Sequence, residues 1–84
     1  MTYQFPETKF TRNGIWRQYF HLLSEVLEVG LALLKRDKSH AIMEIWDVKH
    51  SCETMHRILD SKGQIVYMCK GDVIDNNCRR GYYK

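Results

Sequence analysis

Four carboxylates in two matched pairs constrain this chain more than any other feature: Glu25 with Glu28, and Glu44 with Asp47. Each pair is spaced i, i+3 inside a segment whose apolar residues recur at helical intervals. That spacing sets both acids on one helix face, about one turn apart. Glu and Asp are rarely buried without a compensating partner. Acid pairs on two successive helices, flanked by apolar residues, therefore ask for a metal ion, a basic side chain or water.

The helices themselves follow from periodicity. From Ile15 onward, Trp16, Tyr19, Leu23, Val26, Leu27 and Leu34 keep a helical spacing, and Asn13 is the expected N-cap. The basic cluster Lys35-Arg36-Asp37-Lys38 suits a helix C-terminus and a tight turn. Ser39 is expected to cap a second helix through Trp46, Val48, Met55 and Leu59, closed by Gly63 in the left-handed conformation. A third segment carries Ile65, Met68, Cys69, Val73 and Ile74 at helical spacing, with Gly71 as an unfavourable interior residue. The expected fold class is all-α, in one domain spanning 1–84. It has an irregular segment 1–14 and helices at about 15–36, 39–61 and 64–79, joined by short antiparallel connections.

Placed on helical wheels, the acids share stripes with other polar residues. Gln18, His21, Glu25, Glu28 and Ala32 line one side of the first helix; His40, Glu44, Asp47 and Ser51 line the second. Folded back across the turn, the stripes face each other, with Glu25 opposite Asp47 and Glu28 near Glu44. Four acids this close repel in a low-dielectric site and raise some of their pKa values. A divalent cation relieves that. Donors that are all oxygen select Mg²⁺, with Mn²⁺ as the alternative, over zinc. Mg²⁺ keeps water and accepts phosphate oxygens, so an incomplete protein cage suits phosphate chemistry. Each pair taken singly also fits a solvated helix face; the matched spacing and apolar flanks give the metal reading equal weight.

Composition sets further limits. Eighty-four residues with two Trp, five Tyr and three Phe carry more apolar material than a small helical unit readily hides, which points to self-association. The formal charge of +3 is dense only in the C-terminal run Cys78-Arg79-Arg80-Gly81-Tyr82-Tyr83-Lys84. No basic stripe with interleaved aromatics marks a dedicated nucleic-acid binder. Cys52, Cys69 and Cys78 show neither CxxC nor zinc-ligand spacing, and are expected as reduced, largely buried thiols. The N-terminus lacks the layout of a signal peptide, and no segment approaches the roughly 20 apolar residues of a membrane span. A soluble, cytoplasmic protein is the expectation.

The residues also carry a resemblance. Glu25-x-x-Glu28 followed after a gap by Glu44-x-x-Asp47 resembles the signature of the MazG-like all-α nucleoside triphosphate pyrophosphohydrolases. The stretch from Glu44 to Thr54 looks like the second helix of small single-domain members. The ending Asn77-Cys78-Arg79-Arg80-Gly81-Tyr82-Tyr83 resembles their Asn-x-x-Arg-Gly-Tyr-Tyr segment. The similarity covers about residues 15–83.

The resemblance implies Mg²⁺-dependent cleavage between the α- and β-phosphates of a nucleoside triphosphate, giving monophosphate and pyrophosphate. Glu25, Glu28, Glu44 and Asp47 would be the metal-binding and catalytic acids. It also implies a homodimer or homotetramer, the hairpin being completed into a four-helix-bundle-like core by oligomerisation. One departure is Ser24, which stands where the family has the first of two adjacent Glu. That loss bears on the base that activates water.

Lys70, Asn77 and Arg80 lie toward one side of the third helix and suit phosphate and base contacts, with Arg80 as a bidentate fork. A solvated helix end fits them as well. His50 and Glu53 follow Asp47 on the same helix and suit either a nucleotide contact or an ordinary surface pair. His21 reads more readily as packed or exposed than as a ligand. The reading from another class is a non-catalytic helical interaction or regulatory module that retains the fold, which Ser24 favours.

Overall fold

The computed structural model describes residues 3–84 and is all-helical, with no strand among the described residues. A 3-10 turn, Lys9–Arg12, precedes three helices: α1, Ile15–Leu34; α2, Lys38–Leu59; and α3, Gln64–Arg79. The helix ends fall within two residues of the expected bounds, yet the caps differ. Asn13 closes the 3-10 turn through its N–H to the Phe10 carbonyl, and Gly14 stands at the N-cap of α1 without a side-chain bond. Asp37, not Ser39, caps α2, accepting the N–H of His40 at 3.1 Å. Both Asp and Ser cap well; the preceding turn decides between them.

That turn is a Schellman closure. Asp37 N–H reaches the Ala32 carbonyl and Arg36 N–H that of Leu33, with Arg36 at φ 56° in the left-handed region normally given to glycine. The same closure ends α3, where Gly81 takes φ 74° and Tyr82 N–H bonds to the Asn77 carbonyl. Gly63 is left-handed as expected, at φ 77°, but serves as the N-cap of α3 rather than closing α2. Asp60 does the joining. Its backbone N–H closes α2 on His56, and its carboxylate accepts the N–H groups of Ile65 and Val66 at 2.7 and 3.0 Å.

α1 and α2 form an antiparallel hairpin, the one extensive helix–helix interface among the described residues. Its interior is unusual in chemistry. The buried side chains are Ala32 and Ala41 near the turn, and Gln18, Ser51 and Thr54 toward the open end. The large apolar residues of α1 lie mostly on the opposite side: Trp16, Phe20, Leu27, Leu31 and Leu34 are all more than half exposed. A helix that is apolar on its outer face and polar toward its neighbour has its packing surface left uncovered in a single chain.

The residues before the 3-10 turn are clasped to α2. Glu53 accepts the N–H of Gln4 at 3.0 Å and of Phe5 at 2.8 Å, one on each carboxylate oxygen. Arg57 donates to the Phe5 carbonyl at 2.6 Å, and its guanidinium lies 4.4 Å from the Tyr3 ring centre. Phe5 stacks on His50 at 4.6 Å and meets Trp46 edge-on at 6.0 Å. All three cysteines are free thiols; Cys52 is half-buried, while Cys69 and Cys78 are exposed rather than buried. No helix of the described residues is long and apolar enough to cross a membrane.

Candidate functional site

Along the inner side of the hairpin, Glu28 on α1 and Glu44 on α2 come within hydrogen-bonding reach of each other. The Glu28 carboxyl is raised above its ordinary value, first by that bond and then by the Glu44 charge, with Glu25 and Asp47 adding smaller repulsions. All four acids therefore lie in one electrostatic neighbourhood, as the facing stripes require. A bond between two carboxyls exists only while one of them holds a proton. With both ionised, Glu44 Oε2 is buried with no hydrogen-bond partner.

Each helix holds its first acid with a histidine one turn before it. His21 Nε2 stands 3.0 Å from Glu25 Oε1, and His40 Nε2 stands 2.9 Å from Glu44 Oε1. The glutamates are alike in burial, each side chain 13% exposed, and so are the histidines, each 49% exposed. The sequence does carry this signal, as His-x-x-x-Glu-x-x-acid at residues 21–28 and again at 40–47. Sequence reasoning read the acids in that pattern and missed what the histidines do.

Glu25 departs from its expected pairing. Its Oε1 accepts the hydroxyl of Ser51, one turn beyond Asp47 on α2. A hydroxyl stabilises the ionised carboxylate by donating to it, where Asp47 would repel it, which favours Ser51 as the partner. Asp47 itself is exposed. Burial, and then the charge of Glu25, push the Cys52 thiol up, which keeps it protonated and unreactive. The Ser24 hydroxyl donates to the His21 carbonyl of its own helix at 2.6 Å.

The donor set fits a hard divalent cation in type. His21 and Ser51 engage Oε1 of Glu25 and His40 engages Oε1 of Glu44, so one oxygen of each glutamate is left over. Partners on one oxygen orient a carboxylate in the way that outer groups orient metal ligands. Among the described residues, however, no three His, Cys, Asp or Glu side chains converge tightly enough to hold a metal ion as they stand.

The expected substrate contacts are not drawn to the acids within one chain. His50 stacks on Phe5 and faces the Pro6 carbonyl at 3.4 Å, which places it with the N-terminal segment. Glu53 is engaged there too. Lys70 lines an open cleft of about 820 Å³ between α2 and α3. Asn77 and Arg80 sit at the far end of α3, where their backbone groups form the closing turn.

Compared with protein-family models, with curated proteins and with solved structures, the chain matches none.

Proposed function

We propose that this chain is a metal-dependent nucleoside triphosphate pyrophosphohydrolase, cleaving between the α- and β-phosphates to give monophosphate and pyrophosphate. The observation that carries the reading is the meeting of Glu28 with Glu44, amid Glu25 and Asp47, with Glu44 Oε2 buried and lacking a donor. Four like charges gathered on one side of a hairpin, with Glu25 and Glu44 largely buried, gain no stability from one another, so a cation that binds there would explain the arrangement. Glu25, Glu28, Glu44 and Asp47 would hold Mg²⁺ or Mn²⁺, which supplies charge neutralisation on the phosphates and acidifies water. His21 and His40 orient Glu25 and Glu44. A carboxylate oxygen of the four left free by the metal would take the proton from the attacking water.

The same reading makes the chain a homo-oligomer. The uncovered apolar stripe of α1 suits a second hairpin, which would complete a four-helix core and bring α3 of one copy toward the acids of another. Asn77, Arg80 and Lys70 would then reach nucleotide across that interface.

A non-catalytic interaction module is favoured by one observation, the exposed apolar stripe itself. Pyrophosphate release from a panel of nucleoside triphosphates, with Mg²⁺ and with EDTA, separates the two. We expect Mg²⁺-dependent release that Glu44→Gln lowers by at least about 100-fold, beyond what loss of an outer partner costs. Release by no nucleotide, or release indifferent to Glu44→Gln, would overturn the enzyme reading.

A further inference from the structure

A second concave site lies at the start of α1, apart from the four acids. Lys9, Phe10 and Arg12 from the 3-10 turn, with Asn13, Arg17 and His21 from the chain that follows, line an open cavity of about 430 Å³. That volume falls within the roughly 300–1,000 Å³ usual for small-molecule sites. No acid lines it. Among the described residues, the side chains of Lys9, Arg12 and Arg17 form no ion pair, although the chain carries ten acids that could serve. Three cations sharing one concavity repel one another, and the field between them draws an anion.

The cavity is joined to the acids by a single side chain. His21 lines its wall and at the same time contacts Glu25 at 3.0 Å. Arg17, His21 and Glu25 follow one another at i, i+4 on α1, so Arg17 and Glu25 are about 12 Å apart along the axis. A triphosphate held at the acids would extend toward Arg17, whose long side chain reaches along the helix to meet it. Phe10 stacks against His21 at 5.8 Å and holds the ring between the two sites.

We propose that this cavity, through Lys9, Arg12 and Arg17, receives the distal phosphates of the triphosphate and retains pyrophosphate after cleavage. The assignment rests on the pyrophosphohydrolase reading for its substrate, and on the cations alone for its chemistry. It gives the chain a phosphate site of its own, independent of Lys70 and Arg80 on α3. Two arginines offer forked donors to phosphate oxygens, where lysine offers a point charge.

Titration calorimetry with inorganic pyrophosphate and with a nucleoside monophosphate tests it, on the full chain in Mg²⁺. Arg12 and Arg17 make no side-chain hydrogen bond among the described residues, so their replacement leaves the fold intact, which circular dichroism checks. Arg12→Ala with Arg17→Ala is expected to weaken pyrophosphate about tenfold or more, to leave monophosphate binding unchanged, and Arg17→Lys to recover part of the loss. Pyrophosphate bound equally well by the double variant, or lost instead through Lys70→Ala with Arg80→Ala, would overturn the assignment. So would tighter binding of a single-stranded oligonucleotide than of a triphosphate. Turnover with an unchanged KM in the double variant sinks this site while the enzyme stands. Arginine-dependent pyrophosphate binding in a protein that hydrolyses nothing sinks the enzyme while this site stands.

Discussion

Glu28 and Glu44 meet across the α1–α2 hairpin closely enough to share a proton, where two packed helices ordinarily place apolar side chains. The contact is favourable only with one carboxyl protonated or with a cation between them. The hairpin interior thus carries acids where apolar contacts would ordinarily pack, and the apolar face of α1 is left exposed.

The first consequence is a pH dependence of stability. Glu28 is raised in the folded chain by its bond to Glu44 and by the neighbouring charges. It binds its proton more tightly folded than unfolded, so its contribution is full below the unfolded pKa and lost as pH rises through the folded one. Melting of the metal-free protein in EDTA should fall as pH climbs out of the ordinary carboxylate range. Glu28→Gln, whose amide donates to an ionised Glu44, should flatten that slope. Mg²⁺ should raise the melting point most at the higher pH, where the acids are ionised; an identical slope in the variant would place the titration elsewhere.

The two histidines should behave as a pair. His21→Ala and His40→Ala each free one glutamate from the contact that orients it, at 3.0 and 2.9 Å. Loss of such an outer partner typically costs about 10–100-fold in metal affinity or activity. We expect each variant to raise the Mg²⁺ concentration for half-maximal pyrophosphate release by that order, with little change in melting temperature. Equal Mg²⁺ requirements in wild type and both variants would mean that the histidines are mere surface neighbours.

Much of this was legible in the sequence, and the failures have physical causes. Apolar periodicity located all three helices, because it reports local geometry. The facing of Glu28 with Glu44 followed from the position of the turn. Glu25 did not follow, because a hydroxyl on Ser51 competes with an acid on Asp47 and the sequence does not weigh the two. Asp37 displaced Ser39 as a cap because the left-handed Arg36 positions it there. The clasp of the N-terminal segment was invisible: Glu53 and Arg57, at i, i+4, look like any pair on a helix surface until the chain folds back over them. The three cations around Phe10 come from a 3-10 turn and a helix start, and no periodic pattern links them.

The apolar stripe of α1 predicts assembly. Phe20, Leu27, Leu31 and Leu34 are 64, 70, 55 and 81% exposed and lie along one side of the helix. We expect a continuous face of this kind to be covered in solution. Sedimentation should show a dimer or tetramer. Leu27→Asp with Leu31→Asp should give monomers or aggregates with lowered stability, whereas Leu59→Asp, exposed at the end of α2, should leave the assembly intact. A monodisperse wild-type monomer at micromolar concentration would rule the assembly out.

The clasp on α2 sets a last expectation. Glu53 holds the backbone N–H groups of Gln4 and Phe5, and Arg57 holds the carbonyl of Phe5. Both side chains are largely buried, at 12 and 17% exposure. A hydrogen bond to a charged group is worth about 1.5–3 kcal/mol, and removing one partner leaves the other charge half-buried. Glu53→Ala should therefore destabilise the chain by about that amount in urea unfolding, and Arg57→Ala similarly. Because the two contact each other at 3.6 Å and share Phe5, the double variant should cost less than the two singles together. The same loss should release Phe5 from His50 and Trp46, so tryptophan emission should shift red in the folded variant. Strict additivity with unchanged emission would mean that the segment is held by its aromatic contacts and not by the clasp.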